Sequence, residues 1–123
     1  SKCKEYGCVL LVGDATYQQT KSDFFYLKID DLAVKGKSVG VGIWTVLDQK
    51  RPAWRVAQRK HEEMYEHYQA QRFDDAIASC KLLHNHFDGK MSGYYDMWIE
   101  RCEFQKTQTL PKDWDGIFIA TTK

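Results

Sequence analysis

The sequence has little proline, no excess of charge of either sign and no long apolar run. Two prolines among 123 residues, 43% of them hydrophobic, are typical of one small globular domain or of a piece of a larger one. The 18 Lys and Arg residues balance 17 Asp and Glu residues, so the chain lacks the basic cluster that binds nucleic acid or an anionic membrane. We therefore expect no nucleic-acid partner and no membrane contact.

The sequence also lacks the features of membrane insertion and secretion. No stretch approaches the roughly 20 apolar residues that cross a bilayer, and no apolar core of a signal peptide follows the charged segment Ser1–Glu5. Cys3, Cys8, Cys80 and Cys102 could pair as two disulfides, but their irregular spacing and low number fit reduced thiols better. The expected location is the cytoplasm, or the cytoplasmic end of a membrane-anchored protein.

Two composition regimes meet near Pro52, with strand patterns before it and helix patterns after it. The apolar run Cys8–Val12 predicts a strand buried on both faces. Asp14 or Thr16 is expected to cap a short helix that runs toward Thr20.

A β-hairpin is predicted next. The segment Phe24–Val34 favours a strand, in which the apolar Leu27 and Ile29 are opposed to Lys28 and Asp30. The chain then turns and returns as a third strand.

The turn is the segment Lys35–Ser38, where Gly36 can take a positive φ. The returning strand, Val39–Leu47, places alternate residues on one face. The hairpin therefore has a basic tip.

Three helices and a strand complete the expected fold, which is α+β. The first predicted helix covers about Ala53–Gln71, the second begins near Phe73 with an Asp cap, and the third covers about Ser92–Gln105. A short strand, Ile117–Ala120, follows them. The residues expected to be buried on the helices are Ala57, His61, Met64, Tyr65, Tyr68, Ile77, Cys80, Leu83, Phe87, Tyr95, Trp98, Ile99 and Cys102.

The hairpin tip Val34–Lys37, with the letters VKGK, resembles the last hairpin of class III adenylate and guanylate cyclases. The resemblance extends upstream through Glu5–Thr16 and the pair Asp30-Asp31. Downstream, the segments FDDAI at Phe73–Ile77, IERC at Ile99–Cys102 and DWDG at Asp113–Gly116, with the closing Lys123, are similar to the helical tail of many bacterial cyclases. The resemblance covers nearly the whole chain.

This resemblance implies that residues 1–48 form the C-terminal part of a ferredoxin-like cyclase domain and that residues 53–123 form a helical, tetratricopeptide-like tail with a C-terminal strand. The parent enzyme, a phosphorus-oxygen lyase of signal transduction, would convert ATP or GTP to a 3′,5′-cyclic nucleotide and pyrophosphate. It would use Mg or Mn and act as a homodimer through the cyclase domain. By the same resemblance, Lys35 would bind the terminal phosphates of a nucleotide whose metals lie on the other protomer.

The family's two metal-binding Asp residues and its transition-state Asn and Arg cannot be placed in this chain. Attack of the ribose 3′-hydroxyl on the α-phosphorus needs two cations, which one Lys cannot replace. We therefore expect no catalytic residue within the chain, no activity of the chain alone, and no metal held by it. Its uncovered strand faces are expected to make it dimerise or exchange its hairpin.

The main alternative is a non-catalytic regulatory module, with a dimerising hairpin and a helical pair that binds a protein partner. Packing of this pair against the catalytic domain is the simpler role. A zinc site from His61, His67, His84, His86 and Cys80 is not expected, because His84 and His86 are about 200° apart on a helix.

Several other residues are expected to have structural roles only. The thiols of Cys80 and Cys102 are expected to be packing atoms. Lys37 is interpreted as a solvated turn residue and Trp114 as a core anchor. Asp113 and Asp115 are assigned to turn chemistry. No nucleophile, base and orienting group come together in the sequence to support a self-contained enzyme.

Overall fold

The computed structural model describes residues 6–7, 10–34, 40–47 and 52–120. The strands are β1 (Leu11–Gly13), β2 (Phe25–Val34), β3 (Val41–Leu47) and β4 (Phe118–Ala120). The helices are α1 (Asp14–Thr20), α2 (Pro52–Gln69), α3 (Phe73–Leu83) and α4 (Ser92–Lys106), with a 3-10 turn at Phe87–Gly89. The predicted α+β class is confirmed.

The chain forms two compact units. One comprises Ser1–Val9 with Arg51–Trp114, and the other comprises Leu10–Lys50 with Asp115–Lys123. The first contains the three longer helices and is called the helical unit. The second contains the sheet and α1 and is called the sheet unit.

The sheet has the strand order β1-β3-β2-β4. Strands β2 and β3 are antiparallel, with pairs from Phe25 opposite Leu47 to Leu32 opposite Val41. Strand β1 is antiparallel to β3, whereas β4 is parallel to β2. The predicted hairpin is therefore present, and the C-terminal strand β4 pairs with the side of β2 that faces away from β3.

A β-bulge interrupts β2 and corrects one expectation. Lys28 pairs with Trp44, but the next pair is Asp30 with Ile43, so Ile29 is the extra residue. Asp30 was expected opposite the buried residues, beside Lys28. It is instead fully buried, as Ile29 is, because the bulge shifts the alternation by one position.

Strand β1 was expected to be buried on both faces, and this is wrong for the residues described. It lies at an edge of the sheet, with Leu11 and Val12 only partly buried and Leu10 49% exposed. Cys8 and Val9 lie outside the described residues. Among the described strands it pairs only with β3, and its side chains stay partly exposed at this edge of the sheet.

The predicted helix caps are also corrected. Helix α1 begins at Asp14, its N-cap is Gly13, and no side chain caps it. Helix α3 begins after Arg72, and Asp74 and Asp75 lie in its first turn. Both helices place acidic groups at the positive end of the helix dipole instead of at the cap.

The helical unit packs α2 against α3 and α3 against α4. Every residue predicted to be buried on these helices is buried except Ile99, which is partly exposed. The residues on these helices that are buried but were not in the predicted set are Trp54, Phe73, Ala76, Tyr94, Arg101 and Gln105. Within the described ranges, no helix has the length and hydropathy of a membrane span.

Tyr68 lies at the centre of an aromatic cluster in the helical unit. Its ring centroid is 4.4 Å from that of Trp98 and 5.1 Å from that of Trp114. Phe73 also contacts Tyr68 and Trp114, at 5.6 and 5.8 Å. Trp114 therefore anchors the segment after α4, as predicted, through edge-to-face contacts.

Candidate functional site

The β2–β3 hairpin carries the predicted phosphate-binding residue. Lys35 itself, and the rest of the connection up to residue 39, lie outside the described residues. The structure describes the strands on both sides, and the last pair before the connection is Leu32 with Val41.

The acidic pair before the tip has structural roles within the hairpin. The Asp30 carboxylate is buried, and its Oδ1 accepts a hydrogen bond of 2.9 Å from the backbone N–H of Asp31. The Asp31 carboxylate lies 3.0 Å from the Lys28 ammonium. This pairing orders the strand that leads to the connection.

A cluster on the sheet unit was missed from the sequence. The rings of Tyr17 and Trp44 are stacked with centroids 3.5 Å apart, and Trp44 Nε1 donates a 3.0 Å hydrogen bond to Asp14 Oδ1. The Lys28 ammonium lies 5.9 Å from the centroid of the Trp44 ring. These contacts join α1 to the sheet, and no local pattern signals them because their partners are far apart in sequence.

Two histidines considered as zinc ligands have other partners. His61 is buried, with Nδ1 2.8 Å from the Tyr95 hydroxyl. His84 Nε2 lies 2.9 Å from Asp96 Oδ1. In the part of the chain that the structure describes, no three His, Cys, Asp or Glu side chains converge as a metal site.

The thiols of Cys80 and Cys102 are both free and fully buried. Burial raises the pKa of the Cys102 thiol to about 12, and the nearby Arg101 only partly opposes this rise. Burial raises the pKa of the Cys80 thiol by more than that of the Cys102 thiol, and the nearby Cys102 makes a smaller contribution to this rise. The Cys80 Sγ–H also points to Met64 Sδ at 3.2 Å. Neither group has the properties of a nucleophile, since the thiolate is the reactive form.

The outer face of α2 forms an open groove with a volume of about 620 Å³. The residues that line it are Arg55, Val56, Gln58, Arg59, Glu62, Glu63 and Glu66. The basic residues lie in the first half of this stretch and the acidic residues in the second half.

Comparison with models of known families, with curated proteins and with solved structures finds no match to this chain.

Proposed function

We propose that this chain is the C-terminal part of a class III nucleotidyl cyclase, an enzyme that forms a 3′,5′-cyclic nucleotide and pyrophosphate from ATP or GTP. The observation that carries the proposal is the set of VKGK, FDDAI, ERC and DWDG in this order along the chain. The antiparallel hairpin supports it, because VKGK connects two paired strands as the resemblance requires. The helices after the hairpin support the assignment of the tail.

In this proposal Lys35 binds the terminal phosphates of the nucleotide. Gly36 lets the backbone approach the ligand, and the Lys35 ammonium supplies a mobile positive charge for the leaving pyrophosphate. The Mg or Mn ions belong to the upstream segment of a homodimeric parent enzyme. No described residue is assigned to them.

Replacement of Lys35 in the parent enzyme tests this role. We expect Lys35→Ala to lower kcat/KM, because the transition state should lose about 2 to 4 kcal/mol of binding energy. This is the range for removal of one preorganised electrostatic group. Lys37→Ala is the matched control and should have little effect. Equal activity of the Lys35 variant and the wild type would remove Lys35 from the site.

The identity of the parent chain is tested by sequencing the native protein upstream of Ser1. The proposal requires a further segment of about 150 residues, the size of a domain, with two metal-binding Asp residues and a downstream Asn and Arg. An upstream segment without the two Asp residues would exclude catalysis. It would favour the second candidate, a regulatory module whose helical pair binds a protein.

A further inference from the structure

The outer face of α2 carries a stripe of four charged residues with no apolar residue among them. Arg55, Arg59, Glu62 and Glu66 are spaced by four, three and four positions, which places them on one line along the helix. The four residues span about 16 Å at the rise of an α-helix, and all four are exposed. We call this line the charge stripe.

The charge stripe is divided by sign along its length. Its first two members are positive and its last two are negative. Each half contains like charges at i and i+4, an arrangement that destabilises an isolated helix. Among the residues that the structure describes, none of the four forms an ion pair. Their charges are therefore available to a partner.

We propose that the charge stripe pairs with the same stripe of a second copy of this chain, with the two α2 helices antiparallel. A two-fold axis between residues 60 and 61 places Arg55 of one copy opposite Glu66 of the other. The same axis places Arg59 of one copy opposite Glu62 of the other. The interface is isologous, so each contact occurs twice. A parallel alignment would bring like charges together, so charge selects the antiparallel one.

The remaining features of the groove agree with a second copy as the occupant. Val56 lies beside the charge stripe and is 62% exposed, so an approaching helix would cover apolar surface. The opposite face of α2 is buried in the helical unit through Trp54, Ala57 and His61, so the helix is held in place before it binds. The pairing does not depend on the cyclase proposal, because it uses no residue of the hairpin.

Exposed ion pairs contribute at most about 1 kcal/mol each, so the four pairs should give a weak dimer, with a Kd of the order of 1 mM. Screening should weaken it further as salt rises from about 0.02 to 0.5 M. Sedimentation equilibrium of the 123-residue chain over this range measures both properties.

Charge reversal tests the pairing. We expect Arg55→Glu with Arg59→Glu, and separately Glu62→Arg with Glu66→Arg, to weaken self-association at least about tenfold, because each variant sets like charges opposite each other. An equimolar mixture of the two variants should form a heterodimer at least as tight as the wild-type dimer. Recovery in the mixture also shows that neither variant failed to fold.

The matched control is Lys81→Glu with Lys112→Glu, which changes net charge as the first variant does but at exposed positions outside the groove. It should leave the Kd unchanged within about threefold. A wild-type chain that stays monomeric at about 1 mM, where about half of it should be dimeric at the expected Kd, would overturn the proposal. So would a dimer that keeps its Kd in both charge-reversed variants, since another surface would then form it.

Discussion

Single residues in the helical unit show where the sequence is informative and where it is not. The spacing of Met64, Tyr65 and Tyr68 predicted their burial, because a helix face repeats every three or four positions. The burial of Arg101 could not be predicted in this way. Its guanidinium carbon lies 4.9 Å from the centroid of the Trp98 ring, a cation–π contact that stabilises a charged group which the pattern assigns to solvent.

The buried thiols give a prediction at the scale of the residue. At pH 8, Cys80 and Cys102 should not react with a thiol reagent in the folded chain, and both should react after denaturation. Peptide mapping by mass spectrometry distinguishes them from Cys3 and Cys8. Rapid labelling of Cys80 or Cys102 in the folded chain would contradict their buried, protonated state.

The same two thiols predict a dependence of stability on pH. Because their pKa values are raised in the folded chain, their stabilising contribution is complete below the ordinary thiol pKa of 9.0 and is lost as pH rises above it. The free energy of unfolding, measured by urea titration from pH 8 to 11, should fall with pH. The fall should be smaller in a Cys80→Ala, Cys102→Ala variant, and an equal fall in both proteins would contradict the assignment.

At the scale of the elements, the bounds of helices and strands were largely predictable. The C-terminal strand was predicted as Ile117–Ala120 and is Phe118–Ala120. What could not be predicted depends on contacts between distant segments. The bulge at Ile29 and the bond between Trp44 and Asp14 both arise when strands and helices meet, and no local pattern encodes them.

The contact between Gly7 and the start of α4 gives a prediction at this scale. Gly7 has a φ of +66°, and a Cβ there would lie 3.2 Å from backbone atoms of Gly93 and Tyr94. Gly7→Ala should therefore cost about 2 to 3 kcal/mol in the free energy of unfolding, through strain and crowding together. Thermal and urea unfolding measure this cost.

Two other glycines separate the causes. Gly89 has a φ of +75° and open space around it, so Gly89→Ala should cost only the backbone strain, about 1 kcal/mol. Gly93 would place a Cβ 3.8 Å from Gly7, an ordinary contact, and Ala is the better helix former. Gly93→Ala should therefore not destabilise the chain. Equal losses in all three variants would refute this account.

At the scale of the whole molecule, the sequence predicted the change from strands to helices near Pro52, and α2 begins at Pro52. The two units do not follow this change alone, because residues 1–9 belong with the helices and residues 115–123 with the sheet. The candidate site was harder to predict from the sequence. Lys35 is assigned from the resemblance alone. The charges of the charge stripe can be read from the sequence, but only the burial of the opposite face of α2 shows that they lie on the exposed side of a packed helix.

The proposed function predicts that the 123-residue chain has no cyclase activity by itself. Incubation with ATP or GTP and Mg or Mn should yield no cyclic nucleotide above the rate without protein, because no metal-binding carboxylates are assigned to it. A parent enzyme with the upstream segment is the positive control. Cyclic nucleotide formation by the purified chain would overturn the proposal.

The parallel pairing of β4 with β2 has a consequence for synthesis of the chain. Leu32 pairs with Phe118, so the ribosome must make the three longer helices between the two strands of this pair. Until then this edge of β2 lacks β4, its neighbour among the described strands, and an open strand edge can recruit a strand from another nascent chain. Sheet completion is therefore a late, long-range step of folding, and the exposure of this edge lasts as long as translation of the helices.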